Sequence, residues 1–234
     1  MYLAAAAMVI GAGAAIWLVL TWPDVAELAT TTPASTAFID AARARGEEVE
    51  WRWAPYEDIS LELKKAVVAS EDMSFFSHHG FDTHELEVAA RDAMQGKRVR
   101  GASTITQQLA KNLWLTPSRS PLRKLREAAL THQLEEHLSK RRILELYLNV
   151  AQFGPAIYGV EAAARRYFGI PAAALDADQA AALAAALPRP ATWHPGVETR
   201  GYRRAVARIR ARAEQSDWLD RLLADGGGAD AGGV

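Results

Sequence analysis

From residue 60 to residue 223, the apolar residues of this chain recur at helical spacing. Ser120 followed by Pro121 is a typical N-cap and first helical residue, and Asp176 with Gln179 has the pattern of a capping box. No segment alternates polar and apolar residues long enough to predict a substantial strand. The sequence therefore predicts a mostly α fold. Its helices are expected from Ser60 onward, over Thr104–Leu113, from Ser120 through His137, from Ser139 through Asn149, from Asp176 to Leu187, and over Arg203–Leu223.

The segment Met1–Trp22 contains no charged side chain. At a rise of about 1.5 Å per residue, it is long enough to span a hydrocarbon core of roughly 30 Å. The alternative, a cleaved secretory signal, normally has a shorter apolar region and a basic start. We expect one transmembrane anchor over 1–22, a connector over 23–58 with a short helix and a short extended piece (Val49 to Trp53), one catalytic domain over 59–223 and a flexible tail over 224–234.

Charge is distributed unevenly along the chain. The net charge is −1, yet the segment from Lys97 to Arg142 holds eleven basic and three acidic residues. Such a run is most often a set of solvated helix faces, but a phosphate or diphosphate ligand would also compensate it. The segment lacks the interleaved aromatic residues of single-strand binders, so we expect no nucleic-acid partner. The chain has no cysteine, which excludes disulfides and thiolate metal sites.

Residues 70–80 combine a Glu71-Asp72 pair at the end of an apolar helix with Phe75, His78 and a glycine. A carboxylate at such a junction can be partly desolvated, which raises its pKa toward that of a general base. The alternative is an exposed helix C-terminus, where acidic residues are slightly unfavourable. Adjacent histidines do not share a helix face, so His78 and His79 predict no metal site.

Two further polar segments follow within the basic region. In residues 101–112, small and hydroxyl residues open a helix whose free N–H groups suit an anion, and Gln107 and Lys111 lie one turn apart on it. In residues 119–127, Arg123 and Glu127 are also one turn apart. This pair is either a surface ion pair or part of a diphosphate site with a second carboxylate.

These segments resemble the peptidoglycan glycosyltransferases of glycosyltransferase family 51 over about residues 59–190. The motifs that carry the resemblance are E-D-x-x-F-x-x-H-x-G from Glu71 to Gly80, G-x-S-T-I-T-Q-Q-x-x-K-N from Gly101 to Asn112, R-K-x-x-E from Arg123 to Glu127, K-R-x-I-L-E-x-Y-L-N from Lys140 to Asn149, and G-V-E-A-A-A-x-x-Y-F-G from Gly159 to Gly169. Two positions depart from the family pattern: Ala102 replaces a frequent glycine, and Ile170 replaces a common lysine.

The resemblance implies a lysozyme-like helical lobe and a small membrane-proximal lobe. It implies an inverting transfer of an undecaprenyl-pyrophosphate-linked chain to the 4-hydroxyl of a lipid II acceptor. Glu71 is then the catalytic base and Glu127 a second catalytic carboxylate. The residues expected to bind substrate are Asp72, Phe75, His78, Ser103, Thr104, Gln107, Gln108, Lys111, Asn112, Arg119, Arg123 and Lys124.

The resemblance also implies where the protein works and with which partners. We expect a single-pass protein of the bacterial inner membrane with its catalytic domain on the periplasmic face. Its expected partners are lipid II, the growing glycan strand, the membrane, cell-division proteins and moenomycin-like inhibitors. No cofactor is required by the sequence, although a divalent cation, Mg²⁺ or Mn²⁺, assists at the diphosphate in some family members.

Three other interpretations bear on these expectations. A lysozyme-like muramidase or lytic transglycosylase also uses one catalytic glutamate in a helical lobe, but it needs no cluster of basic residues. A non-catalytic scaffold of the division machinery would not require Glu71 and Glu127. The transpeptidase motifs of bifunctional penicillin-binding proteins are absent from the 234 residues, so we expect the stand-alone form of the enzyme.

Overall fold

The computed structural model describes residues 21–95, 103–116 and 120–224. The predicted anchor up to residue 20, the site residue Arg119 and the tail from residue 225 lie outside these ranges. Among the described residues, no helix combines the length and the apolar character needed to cross a membrane.

The described part of the chain is mostly helical, as predicted. Its α-helices are α1 (Ala37–Ala44), α2 (Leu61–Glu71), α3 (Thr83–Met94), α4 (Ile105–Trp114), α5 (Pro121–His137), α6 (Lys140–Val150), α7 (Val160–Phe168), α8 (Ala177–Ala186), α9 (Arg200–Glu214) and α10 (Trp218–Ala224). Short 3-10 helices lie at Ala26–Ala29, Tyr56–Asp58 and Ala172–Ala174, and the strands are β1 (Glu50–Trp51), β2 (Gln152–Gly154) and β3 (Ile157–Tyr158).

Helix α2 lies at the centre of the fold and ends at Glu71. It packs against α8, α9 and α10, while α4 packs against α5 and α6. Every side chain from residue 63 to residue 69 is buried, including two lysines. Lys64 donates to the carbonyl of Tyr56 at 2.9 Å, and Lys65 forms an ion pair with Asp220 of α10 at 3.0 Å. Buried cations are tolerated only with such partners, so these contacts hold α2 in place.

The helix starts predicted at Ser120, Ser139 and Asp176 are confirmed. The hydroxyls of Ser120 and Ser139 accept hydrogen bonds from the third residue of α5 and α6, and Asp176 forms a complete capping box with Gln179. Each cap satisfies backbone N–H groups that the helix itself cannot pair. The positions of these helices were therefore predictable from the sequence.

The single helix predicted over Arg203–Leu223 is wrong. The chain forms α9 and α10 instead, with a break at Gln215–Asp217. Ser216 is 2% exposed, and its hydroxyl donates to the carbonyl of Arg212 at 2.8 Å. This local hydrogen bond competes with helical pairing, and the break lets α10 turn onto α2.

Residues 23–58, predicted as a connector, are part of the packed fold. Val25, Leu28, Ala54 and Tyr56 belong to the same hydrophobic core as α2. The expected extended piece is confirmed by β1, which pairs parallel to β3, while β2 pairs antiparallel to β3. These strands of two or three residues are too short to produce a recognisable alternation in the sequence.

The side chain of Asn149, near the end of α6, links the segment after β1 to helix α6 by hydrogen bonds. Its side-chain oxygen accepts from the N–H of Ala54 at 2.7 Å, and its amide donates to the carbonyls of Ala54 and Glu145. The side chain is fully buried.

Replacing Asn149 by alanine is expected to lower the free energy of unfolding by about 3 kcal/mol, because buried backbone groups of Ala54 lose their partners. Thermal unfolding followed by circular dichroism measures the effect, and a decrease in Tm of roughly 6–12 °C is expected. The Gln215→Ala variant is the control, since it removes an exposed amide. Equal Tm values for the two variants would contradict this structural role.

Candidate active site

Glu71 lies at the C-terminus of α2 and lines a cavity of about 740 Å³. Its carboxylate accepts a hydrogen bond of 2.9 Å from the side-chain amide of Gln108 on α4. The Tyr147 hydroxyl donates to the other end of that amide at 3.0 Å, which directs the NH₂ group of Gln108 toward Glu71. These two hydrogen bonds, from Tyr147 to Gln108 and from Gln108 to Glu71, fix the orientation of the Glu71 carboxylate.

The surroundings of Glu71 favour a proton acceptor. Burial raises the pKa of Glu71 above its ordinary value; the hydrogen bond from Gln108 and the positive charge of Lys111 lower it, while Asp72 raises it. A carboxylate with a raised pKa is a stronger base than a solvated one. Glu71 therefore combines access to the cavity with the protonation behaviour of a general base.

Lys111 of α4 interacts electrostatically with both predicted catalytic carboxylates. Burial lowers the pKa of its ammonium group, Glu127 and Glu71 raise it, and Arg123 and Lys124 lower it. Its Nζ atom is 5.9 Å from the ring centre of Phe38. A partly desolvated cation in this position interacts with an anionic ligand more strongly than a surface lysine does.

Glu127 is held by two of the predicted diphosphate ligands. Arg123 Nη1 lies 2.7 Å from Glu127 Oε2, and Lys124 contacts the other carboxylate oxygen. Only 4% of the Glu127 side chain is exposed, against 51% of the Lys124 side chain. Glu127 therefore orients two cations, and its part in catalysis stays a prediction.

Asp72 joins the loop after α2 to the start of α4. It accepts from the backbone N–H of Ile105 at 2.9 Å and from His78 Nε2 at 3.0 Å. Since His78 Nδ1 accepts from the N–H of Gly80, we assign the proton of the ring to Nε2. The hydroxyl of Thr104 donates to the carbonyl of Gly80, so the two sequence segments form one unit beside Glu71.

Several residues predicted to bind substrate are buried or bonded to other protein groups. Phe75 is fully buried, Asp72 and His78 are paired with each other, and Gln107 completes the capping box of α4 with Thr104. These contacts support the structure of the site, and direct substrate contact by these residues stays a prediction. Asn112 is 9% exposed.

The structure brings other predicted site residues into two groups. Asp72, Ser103, Thr104 and Gln108 line the cavity of Glu71. Arg123 and Lys124 contact Glu127, and Lys111 interacts electrostatically with all three. Arg119 lies outside the described residues.

Three residues near Glu71 were not predicted from the sequence. Tyr147 donates a hydrogen bond to Gln108, and Ser70 and Arg212 line the cavity. Tyr147 falls inside the K-R-x-I-L-E-x-Y-L-N motif, which was the only signal for it. Within the described ranges, no group of three or more histidine, aspartate or glutamate side chains is arranged to hold a metal ion.

Comparison with known proteins identifies relatives of the whole folded region. A family model described as Transglycosylase matches residues 35–215. The biosynthetic peptidoglycan transglycosylase of Azoarcus sp. (strain BH72) is 48% identical over 182 residues, which cover 75% of this chain and 79% of that protein. The proteins of the same name from Thiobacillus denitrificans and Alcanivorax borkumensis are 44% identical over 205 residues and 52% identical over 168 residues. The match to the first covers 83% of this chain and 86% of that protein, and the match to the second covers 71% and 68%.

Proposed function

Since the chain belongs to the transglycosylase family, we propose that it is a peptidoglycan glycosyltransferase that polymerises lipid II into glycan strands, with Glu71 as its base. The observation that carries the proposal is the partly buried carboxylate of Glu71. It lines a cavity and interacts with the charge of Lys111, which in turn interacts with Glu127, Arg123 and Lys124.

In the proposed reaction, Glu71 accepts the proton of the acceptor 4-hydroxyl as that oxygen attacks the anomeric carbon of the donor. The bond between this carbon and the diphosphate oxygen breaks, and its electrons leave with the diphosphate. One displacement of this kind inverts the anomeric configuration and needs no covalent intermediate.

The cations around Glu127 supply the second half of catalysis. Negative charge grows on the leaving diphosphate, and Lys111, Arg123 and Lys124 are arranged to stabilise it before the reaction begins. Preorganised charges in a site with little water are worth several kcal/mol to a transition state. Arg119 is proposed as a further diphosphate ligand on the basis of its motif alone. Ser103, Thr104 and Gln108 are proposed to bind the sugars and phosphates that enter the cavity.

We also propose that a divalent cation can assist at the diphosphate, but no step of the reaction is assigned to it. The described residues provide no group of acids and histidines that fits a metal ion. Mg²⁺ or Mn²⁺ would be bound mainly by the phosphate oxygens of the substrate. Stabilisation of the leaving group by the protein is therefore assigned to the lysines and arginines.

The relatives named biosynthetic peptidoglycan transglycosylase support a location of the protein in the cell envelope. We propose that residues 1–22 anchor it in the inner membrane with the catalytic domain on the periplasmic face, because this segment is uncharged and of spanning length. Cell-division proteins as partners and moenomycin-like phosphoglycolipids as inhibitors are proposed from the family resemblance.

Two parallel incubations test the proposed function. The purified protein is given lipid-linked precursor in one and finished cell wall in the other, and products are separated on a gel. A ladder of glycan strands from the precursor is expected, with the cell wall left uncut. Soluble fragments from the cell wall without polymer from the precursor would show a glycan-cutting enzyme, and no product from either would support a scaffold.

A further inference from the structure

The cavity that reaches Glu71 is also lined by Arg212, which belongs to α9 near the C-terminal end of the described chain. The lining also includes five residues with hydroxyl groups, which are Ser70, Ser74, Ser77, Ser103 and Thr104. No other lysine or arginine of the described residues lines this cavity. The cations around Glu127 therefore belong to a different part of the site.

The Arg212 side chain has no ion-pair partner among the described residues, whereas nearby arginines do. Arg210 on the same helix pairs with Asp178 at 3.0 Å and with Glu214 at 2.5 Å. Arg123 in the basic cluster pairs with Glu127. The charge of Arg212 is thus available to a ligand in the cavity.

The end of α9 is held next to Glu71 by contacts that do not involve the guanidinium group. The Ser216 hydroxyl donates to the carbonyl of Arg212 at 2.8 Å and lies 3.9 Å from the sulfur of Met73. Met73 follows the Glu71-Asp72 pair directly in the chain. The backbone of Arg212 is therefore positioned relative to the proposed base, and substitution of its side chain leaves this anchor unchanged.

The charged residues that line the cavity determine which anionic group of the precursor can bind there. Asp82 and Glu85 also line it, and hydrogen bonds from Ser74 and the backbone hold the pKa of Asp82 below its ordinary value. Their negative charges repel a doubly charged diphosphate more strongly than a singly charged carboxylate, and the cations around Glu127 are available to the diphosphate. One unpaired arginine beside hydroxyl groups suits a sugar that carries a peptide with a free carboxylate.

We propose that Arg212 binds a carboxylate of the peptide stem of the precursor and so contributes to substrate specificity. This inference rests on the proposed function, because it assumes that a lipid-linked disaccharide-peptide occupies the cavity. It adds a residue outside the sequence motifs to the substrate site and gives a role to the end of α9.

The test compares Arg212→Gln with wild type on two precursors, one with free peptide carboxylates and one in which they are converted to amides. Because solvent screens a charge-assisted hydrogen bond to an exposed arginine, KM for the free-acid precursor is expected to rise about threefold to fivefold in the variant. The amidated precursor is expected to give equal KM values for both proteins. Arg208→Gln is the matched control, since this exposed arginine of α9 lies outside the cavity lining.

The amidated precursor retains its diphosphate, so it separates the two sources of negative charge. If Arg212→Gln raises KM equally for both precursors, the peptide-carboxylate assignment is wrong. An unchanged KM for the free-acid precursor would overturn the contact itself. Failure of wild type to polymerise either precursor would instead remove the proposed function, and Glu71→Gln is expected to be inactive on both.

Discussion

Replacing Glu71 by glutamine is expected to lower the rate of glycan polymerisation by about 10³-fold or more, because the amide cannot accept the proton of the acceptor hydroxyl. Glutamine has nearly the same shape as glutamate, and its side-chain oxygen can still accept the hydrogen bond from Gln108. Substrate binding should therefore persist, and the loss should appear in kcat.

The same variant is expected to be at least as stable as wild type at neutral pH. The pKa of Glu71 is raised in the folded protein, so its contribution to stability is present below the ordinary carboxyl pKa and is lost as pH rises through the raised value. The neutral amide avoids the cost of burying an ionised carboxylate.

Initial rates with lipid-linked precursor, together with Tm, check both expectations for Glu71. Glu136→Gln, which neutralises an exposed carboxylate of α5, is the control and should leave both quantities unchanged. A Glu71→Gln variant that polymerises at the wild-type rate would refute the assignment of the base.

Replacing Lys111 by methionine is expected to reduce kcat/KM about 10²- to 10³-fold, because a preorganised cation is removed from the leaving diphosphate. Methionine fills a similar volume, so the packing of α4 should survive. Loss of the positive charge also removes an interaction that keeps the pKa of Glu71 down, which leaves a smaller ionised fraction of the base.

The comparison with Lys124→Met makes the Lys111 prediction specific. Half of the Lys124 side chain is exposed, so solvent screens its charge and a smaller loss, about tenfold, is expected. Steady-state rates for the three proteins over a range of precursor concentrations provide the measurement. Equal losses in the two variants would mean that burial of Lys111 adds nothing to catalysis.

The helices around the site were predictable because their signals are local. A serine or aspartate cap and the apolar spacing after it are read from a few neighbouring residues, as at Ser120, Ser139 and Asp176. The division of the last helix depends on the burial of Ser216 against other parts of the chain, which no local pattern reveals. Helix α3 was not predicted, and its residues Leu86 and Met94 are exposed rather than part of an apolar stripe.

The sequence predicted which residues to expect in the site but not how they are arranged. The motifs indicated Glu71, Lys111 and Glu127, and in the fold the charge of Lys111 interacts with both carboxylates. The sequence could not distinguish side chains that face the cavity from those that support it. Phe75 and Gln107 lie within the motifs yet are buried, and Arg212 lies outside them yet lines the cavity.

The pH dependence of kcat/KM, measured for wild type and for Lys111→Met, tests most directly whether Glu71 acts as an ionised base beside Lys111. Activity is expected to fall as pH decreases through the raised pKa of Glu71, with a midpoint above the ordinary value of 4.5. In Lys111→Met the midpoint should move to higher pH, because Lys111 no longer favours the carboxylate. Midpoints that coincide in the two proteins, or activity that persists below pH 4.5 while the fold is intact, would contradict the account.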